Sequence, residues 1–159
     1  MNDFSVNNQE LLQLIELWEP TLLALNEETI TQNRNSQNRT IKQILGHMVD
    51  SANNNTLRII NLQNLPSPLA FPDYASLGSN DKWIAIQNFQ NESWSDLVQL
   101  WKFANKHIVH VIDNVDATKL ENIWITATKE EVSLKQMING YLGHFKLHLN
   151  EINELISKQ

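Results

Sequence analysis

The sequence contains no cysteine. Disulfide bonds, thiolate metal ligands and a cysteine nucleophile are therefore excluded, and any thiol chemistry would need a thiol supplied from outside. The chain also lacks any apolar run approaching the ~20 residues that span a bilayer. Its N-terminal stretch has no basic segment followed by an apolar run, the pattern of a secretion signal. We therefore expect a soluble, cytoplasmic protein with no membrane partner.

Positive charge is scarce as well. The chain has 12 lysines and arginines against 18 aspartates and glutamates, a net charge of −6, and its basic residues are scattered. A nucleic-acid binder normally concentrates basic residues on one face. Neither DNA nor RNA is therefore expected as a partner.

Glycine is rare, with four in 159 residues, and the alternating pattern of β-strands is hard to find. Instead, apolar residues recur at helical spacing in four long segments. With 42% apolar residues, the chain is large enough to bury one core. These features predict one domain over residues 1–159 with an all-α, four-helix-bundle fold.

The first two predicted helices are separated by a polar loop. The first runs from Asn7 or Asn8 to about Asn26, with a kink at Pro20, because proline removes a backbone donor and crowds the preceding turn. The segment "NEETITQNRNSQNR" is predicted as a loop. A second helix begins at Thr40, a residue suited to capping, and continues to the "LPSP" break.

The second half of the chain begins with a proline-rich crossover over residues 65–80. A connection of this length can join helices that are parallel neighbours. A short extra helix is predicted in "DKWIAIQNF", and a third main helix from Ser93 or Ser95. A loop over residues 113–132 then leads to a fourth helix, from near Ser133 to near Ile156.

Two histidines lie one turn apart on the last helix, in "NGYLGHFKLHLNEI". At about 100° per residue, His144 lies on the margin of the apolar stripe and His148 within it, about 40° apart. Burying a neutral imidazole without partners costs roughly 1–3 kcal/mol, so two at adjacent positions need a compensating reason. One reason is a shared metal ion, and the alternative is a pair of hydrogen-bonded core histidines. A catalytic zinc-like site would require a third protein ligand.

His47 is the candidate third ligand. It lies at the edge of the second helix's apolar stripe and begins a polar ribbon, although such a ribbon can also be the ordinary border of an amphipathic helix. The other members of the ribbon are Thr40, Ser51, Asn54 and Arg58. The remaining histidines, His107 and His110, lie about 120° and 180° from the apolar stripe of the third helix and are predicted to face water.

Two segments together resemble the DinB-like superfamily and its YfiT-type metalloenzymes. In that family a histidine follows a helical "I-x-x-[IL]-x-x-H-[LMV]-x-[DE]" pattern, matched here by "IKQILGHMVD" with His47. An H-x-x-x-H pair on the last helix is matched by "HFKLHLNEI" with His144 and His148. The similarity extends to the proline-rich crossover and to Trp124 in the loop before the last helix.

The resemblance implies an up-down-down-up four-helix bundle, with the long crossover between its second and third main helices. It also implies a divalent ion, zinc or nickel, held by His47, His144 and His148, and often a homodimer. Some relatives are transferases and isomerases that use a low-molecular-weight thiol as cofactor.

We therefore expect a metal-dependent enzyme, a hydrolase or a thiol-dependent transferase. Its mononuclear three-histidine site would activate water or a small thiol for reaction with a small-molecule substrate. The alternative is a non-catalytic bundle whose metal or ligand has a structural or sensory role. Zincin chemistry is excluded because Phe145, not glutamate, follows the first histidine of the pair. Di-iron chemistry is excluded because the paired Glu-x-x-His motifs are absent.

Four further residues are candidates for the site. Glu151 could accept a hydrogen bond from a ligand ring or serve as a base. Asp50, one turn from His47, is the second candidate for these catalytic roles, although the helical wheel turns it toward solvent. Both carboxylates could equally be surface charges. Arg58, with Asn54 on the same ribbon, could bind an anionic substrate group, and an ion pair is the alternative for Arg58.

Overall fold

The computed structural model describes residues 4–71, 74 and 78–157, and most of them are helical. The elements follow one another as α1 (Ser5–Leu23), α2 (Glu27–Gln32), α3 (Ile41–Asn64), β1 (Leu69–Ala70), α4 (Ser79–Gln87), α5 (Trp94–Asp113), β2 (Ile123–Ile125), β3 (Glu131–Ser133) and α6 (Leu134–Ile156). Helices α1, α3, α5 and α6 are the four long ones.

Helices α3 and α5 are parallel neighbours. Near their starts, the Thr40 hydroxyl donates a 2.6 Å hydrogen bond to Oε1 of Gln90. Near their ends, the backbone N–H of Asp116 donates to Oε1 of Gln63 at 2.9 Å. The chain must therefore return across the bundle between α3 and α5.

Helices α1 and α6 run in the opposite direction. The indole N–H of Trp94, at the start of α5, donates to the carbonyl of Leu22 at the end of α1 (2.8 Å). The Asn33 amide, shortly before α3, donates to the carbonyl of Leu155 near the end of α6 (2.9 Å). Helices α3 and α6 are therefore antiparallel.

Helices α3 and α6 both begin with a capping box. Thr40 accepts a hydrogen bond from the backbone N–H of Gln43, whose side chain accepts from the backbone of Thr40. Ser133 and Gln136 make the same reciprocal pair at the start of α6. Because each box satisfies two otherwise unpaired backbone donors, these caps define where the helices begin. Both predicted starts are confirmed.

Two predictions about local structure are wrong. The segment after Asn26, expected to be a loop, contains α2, whose N-terminus is capped by the Asn26 side chain and which buries Ile30. The fold is also not strictly all-α, because β1 pairs in parallel with β2, and β2 pairs antiparallel with β3. Strands of two or three residues are too short to produce a detectable alternation.

The predicted crossover after α3 is not a plain loop. It contains β1 and is followed by the expected short helix, α4. Helix α1 continues through Pro20 and ends at Leu23, three residues before the predicted end. Within residues 4–71, 74 and 78–157, no helix combines the length and apolarity needed to cross a membrane.

Candidate metal centre

Helices α3 and α6 bring the three predicted ligands together. One ring nitrogen from each of His47, His144 and His148 lies within 4.8 Å of the other two. The ring centroids are 4.5 Å apart for the pair on α6, and 4.7 Å and 5.6 Å from His47 to His148 and His144. His47 and His148 are buried, and His144 is partly exposed, as its place on the margin of the stripe predicts.

The pair on α6 has the separation expected for two ligands of one ion. Nε2 of His144 and Nε2 of His148 are 3.1 Å apart. Two donors that each lie about 2.0–2.1 Å from one tetrahedral ion are about 3.4 Å apart. The spacing therefore suits a shared metal with only a small adjustment.

Hydrogen bonds to the other ring nitrogens favour the required tautomers. Oε2 of Glu151 lies 2.8 Å from Nδ1 of His148. Because a carboxylate oxygen only accepts, Nδ1 of His148 carries the proton, and in the neutral ring Nε2 keeps its lone pair. The Ser51 hydroxyl lies 3.3 Å from Nδ1 of His144 and can accept from it in the same way. Partners of this kind orient metal-bound imidazoles.

Burial keeps two of the rings neutral. Desolvation, reinforced by the neighbouring His148 and His144, lowers the pKa of His47 from 6.5 to about 3. Desolvation and His148 lower the pKa of His144 to about 4. Since only an unprotonated imidazole binds a metal, both rings are ready to bind at neutral pH. The donor set fits a divalent ion such as zinc or nickel.

A cavity of about 220 Å³ opens beside His144. Its described lining comes from α3, α6 and the crossover: Ser51, Asn55, Arg58, Tyr74, Met137, Gly140, Tyr141 and His144. This volume lies below the roughly 300–1,000 Å³ of pockets for drug-sized ligands. The cavity therefore suits a small molecule.

Arg58 supplies the positive charge of the cavity wall. Its side chain is buried, and its guanidinium carbon lies 4.1 Å from the ring centroid of Trp124 and 5.7 Å from that of Tyr74. One terminal nitrogen lies 3.5 Å from Oδ1 of Asn55. The aromatic contacts hold the guanidinium in a fixed orientation.

A family model matches the sequence over most of its length. A model of the DinB superfamily matches residues 10–152. The chain belongs to the DinB superfamily. The resemblance seen in the two histidine segments is thereby confirmed.

The fold of this DinB-superfamily chain is also found in YfiT from Bacillus subtilis. The TM-score is 0.78 at 17% sequence identity, over 95% of this chain and 86% of YfiT. YfiT is described as a probable metal-dependent hydrolase with an unusual four-helix bundle topology. At this identity the similarity shows a shared fold. No curated protein matches the sequence at a significant level.

In this DinB-superfamily chain, Asp50 does not face solvent as the helical wheel indicated. Asp50 is 3% exposed, and Gln87 of α4 donates a 2.7 Å hydrogen bond to its Oδ1. Oδ2 is buried and has no hydrogen-bond partner among the described residues. Burial raises the pKa of Asp50 to about 6, although the bond from Gln87 opposes the shift.

Asn54 was a candidate for binding substrate, but the asparagine that lines the cavity is the next residue, Asn55. The Asn54 amide donates to the carbonyl of Asp50 within the helix (2.9 Å). The cavity lining includes Asn55 and not Asn54. Sequence reasoning missed Asn55, as well as Gly140, Tyr141 and Met137 of α6, because cavity lining depends on how α3 and α6 are rotated against each other.

The two histidines expected on the surface are found there. His107 and His110 are exposed on α5, with ring centroids 6.4 Å apart. The prediction that both face water is confirmed. They provide a natural comparison for the buried cluster.

Proposed function

We propose that the chain is a metal-dependent enzyme in which His47, His144 and His148 hold one zinc or nickel ion. The observation that carries the proposal is the convergence of three imidazole nitrogens within 4.8 Å, beside a cavity that His144 also lines. When bound, a divalent ion on three neutral imidazoles lowers the pKa of a water or thiol and so supplies a nucleophile.

The residues around the cluster have separate roles. Glu151 accepts a hydrogen bond from Nδ1–H of His148, and the 2.8 Å contact supports this positioning role. Its carboxylate also provides a nearby acceptor for a proton released in the reaction. Ser51 orients His144 through the 3.3 Å contact to Nδ1.

Arg58, which lines the same cavity as His144, would bind the anionic group of a small substrate. The fixed guanidinium, with its several N–H donors, suits a carboxylate or phosphate. Asn55, in contact with Arg58, takes the amide role that Asn54 was expected to play. The substrate would thus lie between a cation and the metal.

The nucleophile could be water, giving hydrolysis, or a small external thiol, giving thiol transfer. The absence of cysteine means that no protein thiolate competes for the ion. Purified zinc-loaded protein can be assayed with p-nitrophenyl acetate, with and without a small thiol such as 2-mercaptoethanol. A metal-dependent rate that requires the thiol favours transfer, and one that does not favours hydrolysis.

The rival function is a non-catalytic bundle with a structural or sensory ion. Structural zinc sites are closed by four protein ligands, whereas catalytic sites use three and leave one position open. Over the part of the chain that the structure describes, the cluster contains three potential ligands. This count supports the enzyme.

Metal binding by single variants tests the proposal. Wild type should bind about one zinc or nickel ion per chain after metal loading and desalting, and His47→Ala, His144→Ala and His148→Ala should each lose most of it. His107→Ala provides the matched control, because it removes an exposed histidine outside the cluster. Equal metal content in wild type and the three cluster variants would contradict the proposal.

We further propose a homodimer. Leu100 and Phe103 are exposed on α5, three residues apart on one face of the helix, and could pack against a second copy. Light scattering of the metal-loaded protein should give twice the mass of the chain. A monomeric mass at micromolar concentration would contradict this proposal.

A further inference from the structure

In the first half of α3, two buried polar atoms have no hydrogen-bond partner among the described residues. They are Nδ1 of His47 and Oδ2 of Asp50, and each of the two side chains is 3% exposed. Native proteins rarely leave such atoms unsatisfied, and each exception requires an explanation. Here a potential donor and an acceptor lie on the same helix, three residues apart.

The other ligand helix shows how such a pair can be arranged. On α6, Nδ1 of His148 and Oε2 of Glu151 are separated by the same three residues in sequence and lie 2.8 Å apart. Residues three apart share one face of a helix, so a carboxylate at this spacing can reach the inner nitrogen of the ring. Each of the two helices that supply ligands therefore carries a histidine followed by an acid three positions later.

The other carboxylate oxygen of Asp50, Oδ1, accepts a hydrogen bond from outside α3. Nε2 of Gln87 on α4 donates to Oδ1 at 2.7 Å, which leaves Oδ2 for another donor. The inner nitrogen of His47 is the complementary group. Ordered water or a change of side-chain rotamer commonly satisfies buried polar atoms of this kind.

We propose that Asp50 is the positioning residue of His47 and accepts a hydrogen bond from its Nδ1–H, so that the opposite ring nitrogen faces the metal. This inference rests on the proposed function, and it gives the two ligand helices equivalent supporting carboxylates. Asp50 acts through His47 and does not itself contact the substrate. The competing explanation is that Asp50 only anchors α4 through Gln87.

The tautomer of His47 tests the proposal without any variant and without metal. Long-range ¹H–¹⁵N spectra of metal-free, ¹⁵N-labelled wild type distinguish a ring protonated at Nδ1 from one protonated at Nε2. The expected result for His47 is a proton on Nδ1, and for His148 the same. A His47 ring protonated at Nε2 would overturn the proposal.

Zinc affinity separates positioning from anchoring. Asp50→Asn keeps an acceptor for Gln87 but removes the charge and one oxygen, and it should weaken zinc binding by about 10–100-fold. Glu151→Gln should weaken it by a similar factor. Gln87→Ala removes the α4 contact but keeps the Asp50 carboxylate. Its zinc affinity should stay within about threefold of wild type, a change much smaller than the loss expected when a supporting carboxylate is removed.

Two results would overturn the proposal: unchanged zinc affinity in Asp50→Asn, or a loss in Gln87→Ala as large as that in Asp50→Asn. If Asp50→Asn does not fold, the His47 tautomer in wild type decides. If wild type binds no zinc, the proposed function fails, and the tautomer still tests the link between Asp50 and His47. The two failures are therefore distinguishable.

Discussion

Acidification should destabilise the metal-free protein through three groups whose pKa values are shifted. His47 and His144 have pKa values lowered from 6.5 to about 3 and about 4. Their contribution to stability is therefore complete above pH 6.5 and is lost as pH falls toward those values. Asp50 acts in the opposite sense, since its pKa is raised from 3.8 to about 6. Its contribution is present at low pH and is lost as pH rises through about 6.

The magnitude follows from the protons bound by each state. At about pH 5.5 the two histidines together bind about 1.8 protons in the unfolded chain and almost none in the folded one, while Asp50 binds about 0.8 of a proton in the folded chain. The unfolded chain thus holds about one proton more, and the free energy of unfolding should fall by about 1.4 kcal/mol between pH 6 and pH 5.

Urea denaturation in the presence of a chelator, at pH values from 5 to 6, measures this slope. Asp50→Asn removes the opposing group and should steepen the slope to about 2.5 kcal/mol per pH unit, whereas His144→Ala should make it nearly flat. A slope of zero in wild type, or the same slope in all three proteins, would refute the reasoning.

The glycines and caps of the two ligand helices give further predictions. Gly46→Ala should destabilise the fold by about 1–3 kcal/mol in urea denaturation, because a Cβ at Gly46 would overlap the ring of Phe89; a stabilised variant would contradict that packing. Gly140→Ala and Gly143→Ala should each add about 0.5–1 kcal/mol of stability, since neither Cβ would meet an atom within 4 Å. Only Gly140 lines the cavity, so only Gly140→Ala should weaken binding of acetohydroxamate to the zinc-loaded protein, and equal weakening by both would count against the cavity. Thr40→Ala removes the capping hydroxyl and should lower the free energy of unfolding by about 1 kcal/mol, or the melting temperature by about 2–4 °C. An unchanged melting temperature would mean that the cap contributes no stability.

The long helices and the histidine cluster were predictable because their signals are local. The starts of α3 and α6 depend on Thr40 and Ser133, which cap their own helices. The inward direction of His144 and His148 follows from helical periodicity alone. The Asn26 cap of α2 is an equally local signal. However, the six residues of α2 are too few to show an apolar periodicity, and the segment around them is polar.

The features that could not be predicted depend on contacts between distant parts of the chain. Asp50 is buried and accepts a hydrogen bond from Gln87, which lies 37 residues later in sequence. β1 pairs with β2 across a long separation, with Leu69 beside Trp124, and neither strand is long enough to be recognised alone. The position of Asn55 in the cavity likewise depends on how α3 and α6 pack.

The central claim is that three imidazoles hold one ion and leave a position open. X-ray absorption fine structure of the zinc-loaded protein measures this directly. We expect three imidazole nitrogens at about 2.0–2.1 Å from zinc, with the remaining coordination supplied by solvent oxygen. A site with fewer than three imidazoles, or one closed by a fourth protein ligand, would contradict it.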